Sequence, residues 1–134
     1  MNAFIVDLKN KPGEFGKVAE AISAKGININ GFSGATCGDS GTVVLVTGDE
    51  AGTRQALTEG QWKYRPIELV TASLADRPGT LAEVTKALGH AGVNIEAALP
   101  LGMAGSNVHI AFATDDPVKA RTVLERQPVG AHSR

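Results

Sequence analysis

The sequence predicts an α+β protein built from two consecutive βαββαβ units. Two turns, Asn10-Lys-Pro-Gly13 and Asp76-Arg-Pro-Gly79, each follow a strand-like stretch and precede apolar residues at helical spacing. Each helical stretch then leads to a glycine and the opening of a strand, in Gly26-Ile-Asn-Ile29 and Gly92-Val-Asn-Ile95. The same order of elements therefore occurs twice in the chain.

The first repeat opens with an alternating apolar strand over residues 4–8. We expect Pro12 in the first turn of the next helix, where its missing N–H costs nothing. Asn10 is expected to act as a capping or Asx-turn side chain. The inward face of that helix is predicted to carry Phe15, Val18 and Ile22.

The remaining elements follow from the same periodicity and turn composition. In the first repeat they are a strand over 27–36, a turn over 37–41, a strand over 42–47, a polar helix over 49–59 and a strand over 62–66. In the second they are a strand over 68–75, a helix with Leu81, Val84 and Leu88 inward, a strand over 93–101, a turn over 102–106, a strand over 108–113 and a helix over 118–126. The tail, residues 127–134, is too short and polar to be assigned a last strand.

The two repeats align closely, which favours duplication over chance. The stretch Leu8–Ile29 aligns without a gap on Leu74–Ile95, and a one-residue insertion precedes the third strand. The first-repeat residues with an identical partner are Leu8, Pro12, Gly13, Val18, Ala21, Gly26, Asn28, Ile29, Thr47, Asp49, Arg54 and Leu57. We therefore predict domains at 1–66 and 67–134, each a ferredoxin-like unit with helices on one face, and sheets joined edge to edge.

Composition excludes several classes of protein. The net charge is −1, with 13 basic and 14 acidic residues, which argues against a nucleic-acid partner. Cys37 is the single cysteine, so a reducing cytoplasm is expected. A charge at Asp7 comes too early for a signal peptide, and no apolar run approaches about 18 residues, so no membrane partner is expected.

Other binding and catalytic classes lack their signals. Gly31-Phe-Ser-Gly34 matches the GxxG of a KH module but lies in a strand-like stretch, and the aromatic and basic pattern of an RNA-recognition motif is absent. The three histidines, His90, His109 and His132, are scattered, so no metal site is predicted. No nucleophile–base pair, phosphate loop or carboxylate pair has useful spacing, so neither catalysis nor a cofactor is expected.

The strand, Pro-Gly turn, amphipathic helix and Gly-Ile-Asn-Ile opening resemble the ACT domain. The second copy matches through Asp76–Gly79 and Gly92–Ile95, so the chain resembles a tandem pair of ACT domains over nearly its whole length. The resemblance implies a non-catalytic, allosteric regulatory module that binds a free amino acid between paired domains. It also implies an enzyme of amino-acid metabolism as a partner.

The residues of the turns suit such a ligand. A helix N-terminus and a glycine without Cβ favour a carboxylate, and Asn10 or Asp76 is placed to meet an ammonium group. By resemblance, the expected ligand-binding residues are Asn10, Lys11, Pro12, Gly13, Asn28, Ile29, Asp76, Arg77, Pro78, Gly79, Asn94 and Ile95. Purely structural alternatives stay open. The turns could serve only to start helices, and the two asparagines could serve only to hydrogen-bond the backbone where a strand begins.

If the two units join edge to edge and antiparallel through their second strands, the asparagine of each unit lies near the turn of the other. This arrangement predicts two composite sites. One combines the turn Asp76–Gly79 with Asn28, and the other combines the turn Asn10–Gly13 with Asn94. The first is expected to fill first, because a carboxylate binds an ammonium more strongly than an amide does.

Two function hypotheses remain, together with one about assembly. The first is an amino-acid sensor, and the alternative is a regulatory subunit that docks an enzyme of amino-acid biosynthesis without a ligand. A homodimer is also predicted, because one sheet face carries Val44, Val46, Ala111 and Ala113 away from the helices.

Overall fold

The structure, a computed structural model, describes residues 1–126. Six strands and four helices occupy this part of the chain. In chain order they are β1 (Asn2–Lys9), α1 (Glu14–Ser23), β2 (Ile29–Cys37), β3 (Ser40–Thr47), α2 (Glu50–Glu59), β4 (Tyr64–Ala75), α3 (Thr80–His90), β5 (Ile95–Ala104), β6 (Asn107–Thr114) and α4 (Pro117–Arg126). The question of a last strand over 127–134 lies outside the described residues.

The chain divides into two compact units. The first unit is Asn2–Ile67, and the second contains Met1 and the chain from Glu68 onward. The predicted domain limits, 1–66 and 67–134, stay predictions, because this division rests on contacts within one chain and not on independent folding.

The first unit is an antiparallel sheet with two helices on one face. Strand β3 lies between β2 and β1, and the start of β4 flanks β1 through a 2.9 Å bond from the Asp7 amide to the Lys63 carbonyl. As expected, β2 lies at an edge of this sheet and runs parallel to β1. The helices α1 and α2 cover a core of Phe4, Val6, Val18, Ile22, Ile27, Val43, Leu45, Ala56 and Leu57.

The second unit repeats the pattern over its described residues. Strand β6 lies between β4 and β5, and both pairings are antiparallel. Its core consists of Val70, Leu74, Val84, Leu88, Val93, Phe112, Ala120 and Leu124. The register of β5 on β6 shifts between Pro100 and Gly102, which fits the tolerance of an edge strand for proline. The predicted ACT-like α+β fold is confirmed, whereas the edge-to-edge joining of the two sheets stays a prediction.

Strand β4 corrects one prediction. The expected strands over 62–66 and 68–75 are one strand, Tyr64–Ala75, and Trp62 lies before it. Lys63 accepts a bond from β1, and Leu69 donates one to Met1. Hydrogen-bonded residues alternate along an antiparallel pair. Because Lys63 and Leu69 are both bonded to β1, the residues at even positions between them point away from β1, and Pro66 is one of these. Pro66 therefore interrupts the sequence pattern without interrupting the strand.

The hairpin turns are shorter than predicted. Only Gly38 and Asp39 separate β2 from β3, and only Gly105 and Ser106 separate β5 from β6. Two-residue loops of this kind suit the twist of paired strands. The strands consequently extend into the stretches 37–41 and 102–106 that were predicted as turns.

The sheet face opposite the helices removes the argument for a homodimer. Val44 and Val46 have relative exposures of 6% and 3%, and Ala111 and Ala113 are fully buried within the single chain. The four side chains that were expected to need a second copy are thus not exposed. The homodimer stays a prediction, now without this support. Within residues 1–126, no helix is both long enough and apolar enough to cross a membrane.

Candidate functional site

The turn Asn10–Gly13 connects β1 to α1 through a left-handed glycine. Gly13 has φ 86° and stands directly before the helix, which receives no side-chain cap. A Cβ at this position would have no atom within 4 Å, so the glycine is required by its backbone angle and the space beside it is open. Pro12 therefore precedes the helix and does not form its first turn as predicted.

Asn10 does not cap the helix either. Its Nδ2 donates a 2.9 Å hydrogen bond to the Gly38 carbonyl, and its backbone amide donates to the Asp39 carbonyl at 3.0 Å. These bonds tie the turn to the β2–β3 hairpin, because β1 ends beside that hairpin. The amide group is thereby oriented, and its Oδ1 is the side-chain atom left to accept a hydrogen bond.

A cavity of about 410 Å³ lies beside this turn, wholly within the first unit. It is formed by the ends of β1, β2 and β3 together with the first turn of α1. The lining residues are Leu8, Lys9, Asn10, Lys11, Glu14, Phe15, Phe32, Gly34, Ala35, Thr36, Gly41, Thr42 and Val43. Two predicted ligand-binding residues, Asn10 and Lys11, are among them, and this volume lies in the range of small-molecule sites.

Two exposed phenylalanines form one wall of the cavity. The rings of Phe15 and Phe32 lie 5.7 Å apart and are tilted by 52°, and the residues are 38% and 56% exposed. The helical pattern predicted Phe15 to face the core, but only Val18 and Ile22 of that stripe are buried. Phe32 shares a sheet face with its partner Leu45, a core residue. The sequence did not predict this exposed aromatic pair, because each phenylalanine fits the pattern of its own helix or strand.

The polar rim of the cavity is mainly basic. Lys9 and Lys11 are exposed, whereas the Glu14 carboxylate is held by Lys17 in a 2.9 Å ion pair. That hydrogen bond lowers the pKa of Glu14, with weaker contributions from the charges of nearby lysines. The rim thus offers cations for a carboxylate and the Asn10 oxygen for an ammonium group.

The second turn has the same backbone and different side chains. Gly79 has φ 93° directly before α3, and the Asp76 amide donates to the Ser106 carbonyl at 2.9 Å. Within the described part of the chain, the Asp76 carboxylate makes no hydrogen bond or ion pair. Arg77 lies 3.8 Å from Glu83, so it is not the partner of Asp76.

The residues that line the first-unit cavity have different counterparts in the second unit. By the repeat alignment, Phe15, Phe32, Gly34 and Gly41 correspond to Leu81, Ala98, Pro100 and Val108. The second unit therefore lacks the aromatic pair and carries bulkier residues where the first has glycines.

The asparagines at the strand openings lie far from the turns of their own units. Asn28 precedes β2 at the end where Ile29 pairs with Thr47, whereas Asn10 lies at the other end, where Lys9 pairs with Ser40. The two ends are roughly 25 Å apart along the strand. The structure thus does not bring Asn10 and Asn28 together within one unit.

Both asparagines at the strand openings make local hydrogen bonds, Asn28 through its side chain and Asn94 through its backbone. Asn28 Nδ2 donates to Asn30 Oδ1 at 2.8 Å, and the Asn94 backbone N–H donates to Asp115 Oδ1 at 2.9 Å. Ile29 and Ile95 pack against the cores of their own units. Their predicted ligand roles, like those of Pro78 and Gly79, stay predictions.

Comparison with known sequences identifies a family over part of the second unit. Residues 69–99 match the ACT domain family, from the second-unit part of β4 into β5. No curated protein is similar enough in sequence to count as a relative. This match includes the Asp76–Gly79 turn.

Solved structures share the fold over nearly the whole chain. Protein BT0572 from Bacteroides thetaiotaomicron has 23% identity and a TM-score of 0.80, over 96% of this chain and 88% of that one. The regulatory subunits of aspartate kinase from Thermus thermophilus and Thermus flavus are each 18% identical, with TM-scores of 0.64 and 0.66. The matches cover 95% and 94% of this chain and 92% of each of those chains. At these identities the likeness shows a shared fold.

Proposed function

We propose that this protein is a non-catalytic regulatory module that binds a free amino acid at the turn Asn10–Gly13. The cavity of about 410 Å³ beside this turn carries the proposal. It combines an oriented amide and two lysines with apolar walls, and this combination suits a small zwitterion. The ACT match and the regulatory subunits among the structural neighbours agree with amino-acid sensing.

Each part of an amino acid has a partner in this site. The carboxylate lies against Lys9, Lys11 or the N–H groups at the start of α1. The ammonium group donates to Asn10 Oδ1. The side chain enters the space between the phenylalanines and the strand ends. The sequence also predicts a composite site in which Asn94 contacts this ligand, and that part remains a prediction.

Regulation requires that the ligand change the affinity for a second partner. Two structural neighbours are regulatory subunits of aspartate kinase, so the partner we propose is an enzyme of amino-acid metabolism. The alternative is a subunit that docks such an enzyme without a ligand. The exposed pair Phe15 and Phe32 favours either function, because an apolar surface can contact a small molecule or a protein.

A thermal-shift screen of the full chain against the twenty amino acids separates the two functions. The sensor predicts a dissociation constant between about 1 μM and 1 mM for at least one of them. At one hundred times that constant, the ligand stabilises the fold by about 2.7 kcal/mol, which raises the melting temperature by several degrees. If no amino acid changes the melting temperature or produces heat in calorimetry, the remaining function is the regulatory subunit that docks an enzyme without a ligand.

A further inference from the structure

We infer that the first-unit cavity selects an amino acid with a large apolar side chain, with phenylalanine as the reference ligand. This inference rests on the proposed function, because it names the ligand class of the same site. It comes from the walls of the cavity, whereas the proposed function comes from the groups that meet the ammonium and carboxylate.

The cavity provides an apolar surface for a side chain. Phe15 and Phe32 are tilted at 52° and 5.7 Å, and both remain substantially exposed. A ring placed against them gains offset or edge contacts, which aromatic pairs prefer to face-to-face stacking. Leu8 and Val43 extend the apolar lining. Exposed rings of this kind are covered by an apolar group more favourably than by water.

Two strand positions in the lining of the cavity lack side chains. Gly34 on β2 and Gly41 on β3 leave their strands' backbone uncovered at this end of the sheet. A Cβ on Gly34 would lie 3.1 Å from the Thr42 carbonyl oxygen, so even a methyl group is crowded there. A larger residue at this position would therefore force the strands that line the cavity to shift.

The aromatic wall argues against an acidic or basic ligand side chain. It offers no hydrogen-bond partner to a charged group, and the charge of the Glu14 carboxylate at the rim is already partly neutralised by Lys17. Burying an unpaired charge against such a wall is costly. An uncharged apolar side chain meets neither penalty.

The second unit supplies a matched comparison. Leu81, Ala98, Pro100 and Val108 stand at the positions of Phe15, Phe32, Gly34 and Gly41. An amino acid without a large side chain gains nothing from the first-unit wall, and Asp76 favours its ammonium group in the second unit. A large apolar amino acid is therefore expected to fill the first unit first, and glycine the second.

The test is calorimetry of the full chain with L-phenylalanine, L-leucine, L-aspartate, L-lysine and glycine. Phenylalanine is expected to bind at least tenfold more tightly than aspartate, lysine or glycine. The double variant Phe15→Leu with Phe32→Ala installs the residues of the second unit. It is expected to weaken phenylalanine binding at least tenfold and glycine binding less than twofold. Val118→Ala, on α4 and 71% exposed, is the control and should change neither.

The outcomes separate this inference from the proposed function. If aspartate or lysine binds as tightly as phenylalanine, the ligand class is wrong and the sensor stands. The same conclusion follows if the double variant melts normally and binds phenylalanine unchanged. If no amino acid binds the native chain, both fail.

Discussion

Gly13 holds a backbone conformation that other residues adopt only at a cost. Its φ of 86° lies in the left-handed region, and the space around its missing Cβ is empty. A substitution there meets strain without a steric clash. The position therefore isolates the backbone requirement of the turn from any effect on packing.

Gly13→Ala is expected to lower the free energy of unfolding by about 1–2 kcal/mol, the cost of a left-handed residue with a Cβ. Gly16 provides the matched control, since it lies within helical α1 and an added Cβ would also meet no atom within 4 Å there. Gly16→Ala is expected to raise the same free energy by about 0.5–1 kcal/mol. Urea denaturation measures both. Destabilisation of equal size by the two changes would contradict this explanation.

Asp76 and Asn10 are the residues that predict unequal affinity of the two turns for small amino acids. A charged hydrogen bond contributes about 1.5–3 kcal/mol, against about 1 for a neutral one. In a glycine titration, Asp76→Asn is expected to weaken the tighter phase and to leave the melting temperature without ligand nearly unchanged. Loss of that phase in Asn10→Ala alone would reverse the assignment. If neither change affects binding, the turns serve only to start helices.

The partner of Asn10 shows why individual contacts were less predictable than backbone. The Pro-Gly pattern correctly located both turns, because proline and glycine restrict the chain locally. The hydrogen bond from Asn10 to Gly38 joins residues of two different loops. Local sequence favoured a helix cap, and the tertiary approach of the hairpin decided otherwise.

At the scale of elements, periodicity predicted most strands and helices, because buried residues recur along each element. The prediction was wrong where an apolar residue near the end of an element is exposed. Phe15 continues the apolar stripe of α1 but lies at the helix start, beside the exposed Phe32. The aromatic wall of the cavity belongs to two elements, so neither stripe alone revealed it.

The start of α2 offers a test at this scale. Asp49 caps the helix, with its Oδ1 accepting a 2.9 Å hydrogen bond from the Gly52 amide. Asp49→Ala is expected to lower the free energy of unfolding by about 1 kcal/mol. Asp39→Ala, in the exposed β2–β3 turn, removes the same carboxylate where it caps no helix, and should cost less than about 0.5 kcal/mol. Equal losses in denaturant titrations would contradict the capping role.

For the whole molecule, oligomeric state is a separate prediction from ligand binding. The homodimer was predicted from apolar side chains on one sheet face that are buried in the structure. The exposed Phe15 and Phe32 are a remaining apolar surface. Light scattering at micromolar concentration, with and without phenylalanine, is expected to give the mass of a dimer. A mass of 13.9 kDa in both conditions would contradict it.

The central claim is that a free amino acid binds in the first-unit cavity beside the turn Asn10–Gly13. Backbone amide NMR of the full chain during a phenylalanine titration tests it most directly, because each amide reports its own surroundings. The account predicts saturable shifts at the amides of residues 10, 11, 13–15, 32–36 and 41–43, with a common dissociation constant. Saturation that leaves these amides unmoved and shifts signals elsewhere, or no shift at any ligand concentration, would contradict it.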